Sequence, residues 1–482
     1  MPSSLPRRPL ASGSNRRPAA LILFLSLSAL SIATVRSAHA QIPPDAVEPT
    51  GGRWSTVVVS SGNAIKLAPP PVANSTAANQ ELAELRAMQA SRTAAILASI
   101  DYWNAGACLR WNEIARQLVV RRGTNPPQAS RVYALLSVAQ YDALVVAWNN
   151  KFTFNRVAPP YADHRIQPLA STPRAQVYPS EHAVVAGASA AVLSDLYPAD
   201  AAFLADLANQ DEVSRLWAGV NYRSDITAGD GLGRAIAATV LERAATDGAG
   251  NDVKLTVPPG TSPGGWYGTN PLLPLWGSVK PWLMSAGSAF RPAAPPAPGS
   301  AEFLQGLAEV RQISDTRTPE QLQIAIFWAD GAGTVTPPGH WNQIAADLLA
   351  TTHWSEVRIS RALSLMNMAM MDAGICCWDA KYTYWLIRPS QADPLITTPV
   401  GLPNFPSFTS GHSSFSGAAA SVLGYLLPHE ANSLQAMAEQ AAISRLYGGI
   451  HYRFDSEVGL ENGRGIAALA IARAKSDGAP GL

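Results

Sequence analysis

Cysteine is scarce in this chain of 482 residues, which holds only Cys108, Cys376 and Cys377. An odd number of cysteines, two of them adjacent, does not make a disulfide framework. The sequence also lacks Cys/His pairs at zinc spacing, so we do not expect a classical structural zinc site. Neither cysteine-based way of stabilising a fold is therefore expected here.

Charge of either sign is also scarce. Charged residues make up 15% of the chain, and the formal net charge is +1. This balance argues against nucleic acid as a partner and against attraction to an anionic membrane, since both need a strong positive field. The apolar fraction of 47% indicates a globular helical protein, and the length allows two or three domains or one large double domain.

Long apolar runs are missing beyond residue 40, so we expect no stable membrane insertion of the mature chain. The first forty residues predict a signal peptide, because four arginines precede an apolar run over 19–33 and small residues end at Ala40. A membrane anchor is the alternative, but the run is short for a spanning helix. We expect export, to the periplasm in a Gram-negative source and to the medium otherwise. The pair Arg16-Arg17 leaves the twin-arginine route open beside the general one.

An internal repeat organises the remaining chain. Residues 111–248 match residues 341–478 at a constant offset of 230 without a gap. The agreement includes Trp, Arg, Asp and Gly positions, as in the match of Ser-Arg-Leu at 214–216 with the same three residues at 444–446. We interpret this match as an internal duplication.

Each repeat has the pattern of a helical unit. Segments 131–151 and 361–385 place apolar residues at helical spacing. The runs 183–197 and 413–427 each follow a Ser-x-His sequence and stop at a proline, as helices do. Because strand signals are scarce, we predict an all-α fold class with two helical bundles from the internal duplication.

Two short blocks in the second repeat carry groups suited to an oxyanion. Lys381 and Arg388 lie seven residues apart, or two helical turns, so a helix that ends at Pro389 would present both on one face. Ser410-Gly411-His412 precede an apolar helix, whose start offers free N–H groups and the positive end of its dipole. Each block alone has an ordinary alternative, a solvated Lys/Arg face or an N-cap serine beside an incidental histidine.

A third block contains Arg445, which follows Ser444, and then His451 and Asp455. Arginine presents a planar fork of donors that suits two oxygens of an anion. Asp455 lies four residues after His451, so its carboxylate can accept one ring N–H and leave the other nitrogen as a nucleophile or ligand. A purely structural His/Asp hydrogen bond is the alternative.

In this order the blocks resemble the motif of the type 2 phosphatidic acid phosphatase and vanadium haloperoxidase superfamily. That motif is Lys-x6-Arg-Pro, then Pro-Ser-Gly-His, then Ser-Arg-x5-His-x3-Asp. Thr409 stands where the motif has its second proline, which should alter the turn slightly and removes no ligand. The resemblance implies a vanadium chloroperoxidase-like or acid phosphatase-like helical fold, with the first repeat related by internal homology.

The resemblance also assigns roles to these residues. A vanadate or phosphate site is implied, built from Lys381, Arg388, Ser410, Gly411, Arg445 and His451. His451 would bond the central atom, as the ligand of vanadium or as a phosphorylated nucleophile. His412 would be the general acid/base, Asp455 would orient His451, and Lys381 would take part in catalysis.

Two aromatic residues bear on the choice between halide oxidation and phosphate ester hydrolysis. In chloroperoxidase-type members of the family, aromatic residues at the positions of Trp378 and Phe405 line the halide pocket, whereas the bromoperoxidase type has histidine at the second. Core packing is the alternative explanation for both. The resemblance therefore favours a vanadium-dependent haloperoxidase, acting on hydrogen peroxide and halide.

Two alternative functions stay open, and so does the oligomeric state. A soluble acid phosphatase would use the same residues to hydrolyse phosphate monoesters without vanadate as a cofactor. An oxyanion-binding protein is the non-enzymatic alternative, which the general acid His412 disfavours. The oligomeric state is open, and a homodimer is compatible with the sequence.

The first repeat retains only part of the site. It keeps five equivalents: Lys151, Ser180, His182, Arg215 and Asp225. Three positions differ, because Arg388, Gly411 and His451 are replaced by Ala158, Glu181 and Asn221. A carboxylate repels an oxyanion and asparagine cannot act as the nucleophile, so we predict a degenerate repeat without an anion site.

These patterns predict the organisation of the chain. The Pro/Gly-rich stretch 251–300 breaks any long helix and predicts a linker. The predicted segments are a signal peptide (1–40), a degenerate helical repeat (41–250), the linker (251–300) and a second helical repeat that carries the active site (301–482). Outside the motif, we expect Asp330 to support an active-site arginine, His340 to lie in a loop and Asp372 to be structural.

Overall fold

The computed structural model describes residues 47–251 and 265–480, and the regular structure within these ranges is helical. The predicted signal peptide and residues 252–264 of the predicted linker lie outside the described residues. Across the described ranges, β-type pairing is limited to one isolated antiparallel bridge, between Gly265 and Leu386. The predicted all-α fold class is therefore confirmed.

Eight α-helices are described in residues 47–251. They are α1 (Thr76–Ala90), α2 (Ala94–Trp103), α3 (Ala107–Arg122), α4 (Pro126–Phe154), α5 (Pro159–Ala162), α6 (Glu181–Leu196), α7 (Ala201–Trp217) and α8 (Arg223–Ala245). The long helix α4 begins where its sequence requires. The Asn125 side chain accepts the N–H of Gln128, and Pro126 stands at the first helical position, where it needs no hydrogen-bond donor.

Eight further α-helices are described in residues 265–480, each the counterpart of the helix eight places earlier. They are α9 (Ala301–Thr316), α10 (Pro319–Phe327), α11 (Thr336–Leu349), α12 (Glu356–Tyr384), α13 (Pro389–Ala392), α14 (Gly411–Leu426), α15 (Ala431–Tyr447) and α16 (Arg453–Ser476). No helix of the described ranges combines the length and apolar character that crossing a membrane requires.

The correspondence between the repeats extends upstream of the matched sequence, at an offset of 225. Gly52 and Gly277 both lie tightly against a central helix. A Cβ on Gly52 would lie 2.3 Å from the backbone nitrogen of Asn149, and a Cβ on Gly277 would lie 2.6 Å from Cα of Asp379. Part of the segment predicted as a linker, residues 276–300, is therefore the counterpart of 51–75 and packs on the second bundle.

Two buried aspartates fasten these upstream segments to the central helices. Asp142 in α4 accepts hydrogen bonds from three consecutive backbone N–H groups, those of residues 57–59. Asp372 in α12 accepts the N–H groups of residues 282–284 in the same way. Both carboxylates serve the packing of the bundles, which is the structural role that the sequence predicts for Asp372.

The two bundles meet along their central helices, α4 and α12, which pack against each other. Nearby, Asn112 Nδ2 donates to Asn342 Oδ1 at 2.7 Å. These asparagines are equivalent positions of the two repeats, and contact between equivalent residues is what a twofold relation produces. Trp111 and Trp341, also equivalent, lie in one continuous apolar core.

Candidate active site

The fold brings the three sequence blocks of the second repeat together. Ser410 is the N-cap residue of α14, and its backbone N–H donates to the backbone oxygen of Asp455 in the first turn of α16 at 2.9 Å. Arg388 Nη1 lies 3.1 Å from His451 Nε2. The Lys381 side chain reaches the loop that precedes Ser410. Residues from four helices and their connections thus surround one buried point.

Lys381 and Arg388 do not share a helix, and this expectation from their spacing is wrong. Helix α12 ends at Tyr384, and Trp385 takes a left-handed conformation with φ of 51°. Pro389 does not end that helix but opens α13, for which Arg388 is the N-cap residue. The chain reversal after α12, and not helical periodicity, brings Arg388 to the site.

One ring nitrogen of His451 is hydrogen-bonded to Asp455, and the other faces Arg388. Its Nδ1 lies 2.8 Å from Asp455 Oδ2, so the carboxylate accepts the ring N–H. Its Nε2 is then the unprotonated nitrogen, beside Arg388. Burial, followed by the charges of Arg388 and Lys381, holds the pKa of His451 well below its usual value. A neutral imidazole with a free lone pair is what a ligand or nucleophile requires.

Asp455 receives one donor that the sequence motif does not contain. Ser407 Oγ donates to Asp455 Oδ2 at 2.5 Å, and the backbone N–H of Tyr452 donates to the same oxygen at 3.2 Å. Burial raises the pKa of Asp455 to about 6, against these hydrogen bonds and nearby cations. Sequence reasoning missed Ser407 because a serine in a loop, three residues before Ser410, carries no periodic or motif signal.

Two arginines bring buried positive charge to the site. Arg388 Nε donates to Phe405 O at 2.9 Å and Nη1 to Ile450 O at 2.7 Å, whereas its buried Nη2 finds no acceptor in the described protein. Arg445 Nη2 donates to Ala325 O at 3.0 Å, at the end of α10. Burial lowers the pKa of each arginine to about 10, so both stay protonated at neutral pH.

Lys381 adds a third buried basic side chain. Its contacts are with backbone carbonyls, whereas the family resemblance implies contact with the oxyanion. Its Nζ donates to three backbone carbonyls of one loop, those of Pro406 (2.9 Å), Ser407 (2.8 Å) and Thr409 (2.5 Å). Burial lowers the pKa of this amine to about 7. Lys381 therefore holds the loop that carries Ser410 into place, and direct contact with an anion would require it to exchange one of these carbonyls.

The start of α14 supplies neutral donors. Ser410 Oγ accepts the backbone N–H of Ser413 at 3.4 Å and keeps its own hydrogen to donate. Gly411 is the first helical residue, where backbone N–H groups have no acceptor within the helix. A Cβ at Gly411 would lie 3.6 Å from the Trp378 ring, an ordinary contact distance. The protein itself thus leaves room for a side chain there, and a bound group is a better reason for glycine.

His412 points a second imidazole into the site. Its Nε2 is buried and has no hydrogen-bond partner among the described residues. The ring lies against the backbone of Trp328 and Ala329, and burial, followed by the charge of Arg445, holds its pKa well below the usual value. A neutral imidazole with a free nitrogen can accept a proton and return it.

Trp378 and Phe405 form the apolar side of the site. Their ring centroids are 5.0 Å apart. Lys381 Nζ lies 5.0 Å from the Phe405 centroid, and the guanidinium carbon of Arg388 lies 4.9 Å from it. The predicted pair therefore packs together, and Phe405 contacts two cations of the site.

The charge balance of these groups fits an anion. Lys381, Arg388 and Arg445 are each at most 1% exposed, and Asp455 is the carboxylate that contacts His451 at their centre. Excess buried positive charge is costly unless an anion balances it. The free Arg388 Nη2 is a donor that an oxyanion would satisfy. Within the described ranges, no group of three or more His, Cys, Asp or Glu residues is placed to bind a metal cation.

Comparison with known proteins agrees with this geometry. The model of the PAP2 superfamily matches residues 362–476, which contain all three blocks. Residues 362–476 belong to the PAP2 superfamily. The vanadium chloroperoxidase of Curvularia inaequalis is 30% identical over 137 residues, which are 22% of this chain and 22% of that protein. The match thus spans about a fifth of the curated relative.

Two solved structures are similar over most of the chain. One is described as the first bacterial vanadium-dependent iodoperoxidase, with 27% identity, a TM-score of 0.61, and coverage of 78% of this chain and 95% of that one. The other is a holo-type bacterial vanadium-dependent chloroperoxidase, with 13% identity, a TM-score of 0.55, and coverage of 73% and 92%. The second likeness concerns the fold alone. The predicted relation to the PAP2 and vanadium haloperoxidase superfamily is confirmed.

The first repeat arranges its remaining polar residues differently from the PAP2 region. Lys151 Nζ donates to Gln176 O at 2.7 Å and lies 3.7 Å from the Glu181 carboxylate. His182 Nδ1 lies 2.6 Å from Asp211 Oδ1, so this histidine has a partner that His412 lacks. Carboxylates here pair with Lys151 and His182, the counterparts of Lys381 and His412. That the first repeat has no anion site stays a prediction, which this pairing supports.

Two residues outside the PAP2 motif also border the site. His340 Nδ1 lies 2.9 Å from Asp330 Oδ2, and its ring stacks on Trp328 with centroids 4.5 Å apart. His340 lies in α11, so the expectation of a loop histidine is wrong. The hydrogen-bond partner of Asp330 is His340 and not an arginine, although its charge raises the pKa of Arg445 against the effect of burial.

Proposed function

We propose that this protein is a vanadium-dependent haloperoxidase, which oxidises halide with hydrogen peroxide at a vanadate bound by His451. The observation that carries the proposal is the enclosure of neutral His451 by three buried cations. The names of the similar proteins and the contact of Trp378 with Phe405 support a haloperoxidase over other uses of such a site.

The residues present fit vanadate as the bound group. Arg388 Nη2, Ser410 Oγ and the Gly411 N–H are donors for its oxygens, and His451 Nε2 is the nitrogen that would bond vanadium. Arg445 and Lys381 add positive charge, which stabilises a multivalent anion in a buried site. Because vanadium enters as an anion, arginine and lysine replace the carboxylates and thiolates of a cation site.

The protein groups have separate tasks in the proposed reaction. Bound vanadate would activate hydrogen peroxide towards attack by halide. His412 Nε2, kept neutral by burial, would accept a proton from the incoming peroxide and later return it. Asp455 holds the Nδ1 proton of His451, so that Nε2 stays available. The Trp378 and Phe405 rings exclude water from one side, and the adjacent cations would attract the halide there.

Hydrolysis of phosphate monoesters is the second candidate, because a cage for vanadate also complements a phosphoryl group in transfer. His451 Nε2 would then attack phosphorus, and His412 would protonate the leaving alkoxide. The neutral state of His451 suits its attack on phosphorus, whereas His412 would have to hold a proton to act on the leaving alkoxide. The two candidates differ in whether vanadate is the cofactor or an inhibitor.

A paired assay tests the proposal. One preparation is incubated with vanadate, hydrogen peroxide and iodide, bromide or chloride, and halogenation of an activated diketone is followed. The same preparation is tested for hydrolysis of p-nitrophenyl phosphate. We expect halogenation that depends on vanadate and is lost in His451→Ala but kept in the matched first-repeat variant Asn221→Ala. Hydrolysis inhibited by vanadate, without halogenation, would make the phosphatase the correct assignment. Tight vanadate binding without either reaction would indicate a binding protein.

Export belongs to the same proposal and rests on the signal-peptide pattern of residues 1–40. We expect the mature protein in the periplasm or the medium. Sequencing its N-terminus should find Gln41 as the first residue. An N-terminus within residues 1–35 would contradict cleavage at Ala40.

A further inference from the structure

Ser407 connects the two halves of the site. Its hydroxyl donates to Asp455 Oδ2 at 2.5 Å, while its carbonyl accepts Lys381 Nζ at 2.8 Å. Its backbone N–H donates to Leu386 O at 2.9 Å, two residues before Arg388. The residue is fully buried. Its three polar groups thus bind the loop, the lysine and the aspartate to one another.

The Ser407 hydroxyl acts mainly on the position of the Asp455 carboxylate. Asp455 Oδ2 accepts Ser407 Oγ, His451 Nδ1 and the Tyr452 N–H, whereas Oδ1 is buried without a partner among the described residues. A buried carboxylate depends on its few donors for both charge and orientation. Without the Ser407 hydroxyl, the side chain of Asp455 would keep two donors on one oxygen and could rotate. His451 would then lose the fixed acceptor that sets its tautomer and ring orientation.

In the first repeat, the aspartate equivalent to Asp455 has different hydrogen-bond partners. Asp225 is the counterpart of Asp455, but Val177 stands where Ser407 does. Arg156 Nη1 instead forms an ion pair with Asp225 Oδ1, and Asn221 Nδ2 donates to Oδ2 at 3.2 Å. An arginine neutralises the carboxylate, which suits a packing role. A serine is a neutral donor, so it fixes the carboxylate and leaves its negative charge to act on a histidine.

We propose that Ser407 is a positioning residue, whose hydroxyl holds Asp455 so that His451 presents Nε2 to the bound oxyanion. This inference rests on the proposed function only in that an oxyanion binds at His451, and it holds for vanadate or phosphate. Ser407 Oγ lies on the Nδ1 side of His451, 3.5 Å from that nitrogen, and not at Nε2, where the anion would bind. Its effect passes through Asp455 and His451.

The test compares single variants of the full chain. Inorganic vanadate is the probe, its Kd is measured by equilibrium dialysis, and folding is checked by circular dichroism and thermal unfolding. Ser407→Ala should raise the Kd by about 10- to 100-fold, the range for loss of a group that orients a ligand-bearing histidine. Ser407→Thr keeps the hydroxyl and should restore most of the affinity. Ser364→Ala is the matched control, because Ser364 is a buried serine of α12 that bonds only the Arg361 carbonyl.

The outcomes separate this inference from the proposed function. Wild-type affinity in a folded Ser407→Ala variant would overturn the inference and leave the proposed function intact. If wild-type protein binds neither vanadate nor phosphate, both are overturned. If Ser407→Ala does not fold, Ser407→Cys replaces it, since a thiol is a weaker donor. A Kd between those of wild type and Asp455→Ala supports the inference, and a wild-type Kd for the cysteine variant contradicts it.

Discussion

Arg388 Nη1 and His451 Nε2 lie 3.1 Å apart, both buried, and the histidine accepts a hydrogen bond from the arginine. The nitrogen that would bond the central atom of an oxyanion is therefore already aligned with a cation. An incoming anion must replace this contact, and it can then accept hydrogen bonds from the same guanidinium. His451 is thus held in a defined direction by Asp455 on one side and Arg388 on the other.

Arg445 and Arg215 form a matched pair for testing the cage. Each donates from Nε to the preceding serine hydroxyl, at 2.8 Å and 2.9 Å. We expect Arg445→Lys to raise the vanadate Kd by about 10-fold or more, because a charged hydrogen bond contributes on the order of 1.5–3 kcal/mol. Arg215→Lys should affect thermal stability alone. Equal loss of vanadate affinity in the two variants would contradict the assignment of the site to the second repeat.

His412 and His182 make a second pair. We expect His412→Ala to lower turnover by about 10²- to 10⁴-fold, the usual effect of removing a general acid/base, with little change in vanadate affinity. His182→Ala should leave turnover intact and destabilise the fold by about 1–3 kcal/mol, because buried Asp211 loses a hydrogen-bond partner. Steady-state kinetics and denaturant unfolding measure the two effects. A His412→Ala variant with full turnover would exclude His412 as the proton carrier.

Alanine substitutions at Gly411 and Gly417 should separate an effect on vanadate binding from an effect on folding. A Cβ at Gly411 makes ordinary contact with Trp378, so Gly411→Ala should fold with a near wild-type Tm but bind vanadate more weakly. A Cβ at Gly417 would lie 2.4 Å from the Leu460 carbonyl oxygen. Gly417→Ala should therefore destabilise the protein by about 1–3 kcal/mol through overpacking. Unchanged vanadate affinity in Gly411→Ala would argue that no anion approaches this N–H.

Lys381 predicts a pH dependence of anion binding. Burial lowers its pKa to about 7, so its positive charge is lost as the pH rises through 7. We expect vanadate affinity to fall more steeply above this pH in wild type than in Lys381→Gln. The ratio of the two Kd values cancels the titration of vanadate itself. A ratio that stays constant between pH 6 and 9 would show that the ammonium does not contribute.

The lowered pKa of Lys381 also affects folding stability, and without added anion this effect runs in the opposite direction with pH. The unfolded chain keeps the lysine protonated up to the ordinary lysine pKa of 10.5, so between pH 7 and this value it binds more protons than the folded protein. Stability contributed by this group therefore rises with pH across the window. Unfolding in urea at several pH values, with Lys381→Gln as the control, measures this contribution. Equal slopes for wild type and variant would contradict the lowered pKa.

The candidate site was predictable mainly from a family resemblance. Each of the three blocks alone has an ordinary alternative, and only their order and spacing match the superfamily motif. The residues predicted in this way are Lys381, Arg388, Ser410, Gly411, Arg445 and His451. The helical runs after Ser180 and Ser410 were predictable because apolar residues recur at helical spacing up to a proline. Ser407 lies outside these signals and could not be placed, because its partner Asp455 is 48 residues away in the sequence.

The sequence by itself determined the helical class, the gapless match between residues 111–248 and 341–478, and the residue types of the proposed oxyanion site, since periodicity and residue chemistry are local properties. The tertiary structure decided how those side chains are held. The left-handed Trp385 turns Arg388 towards His451, the loop carbonyls engage Lys381, and the Ser407 hydroxyl fixes Asp455. These contacts depend on loop conformation and packing between distant segments, which no short window of sequence encodes.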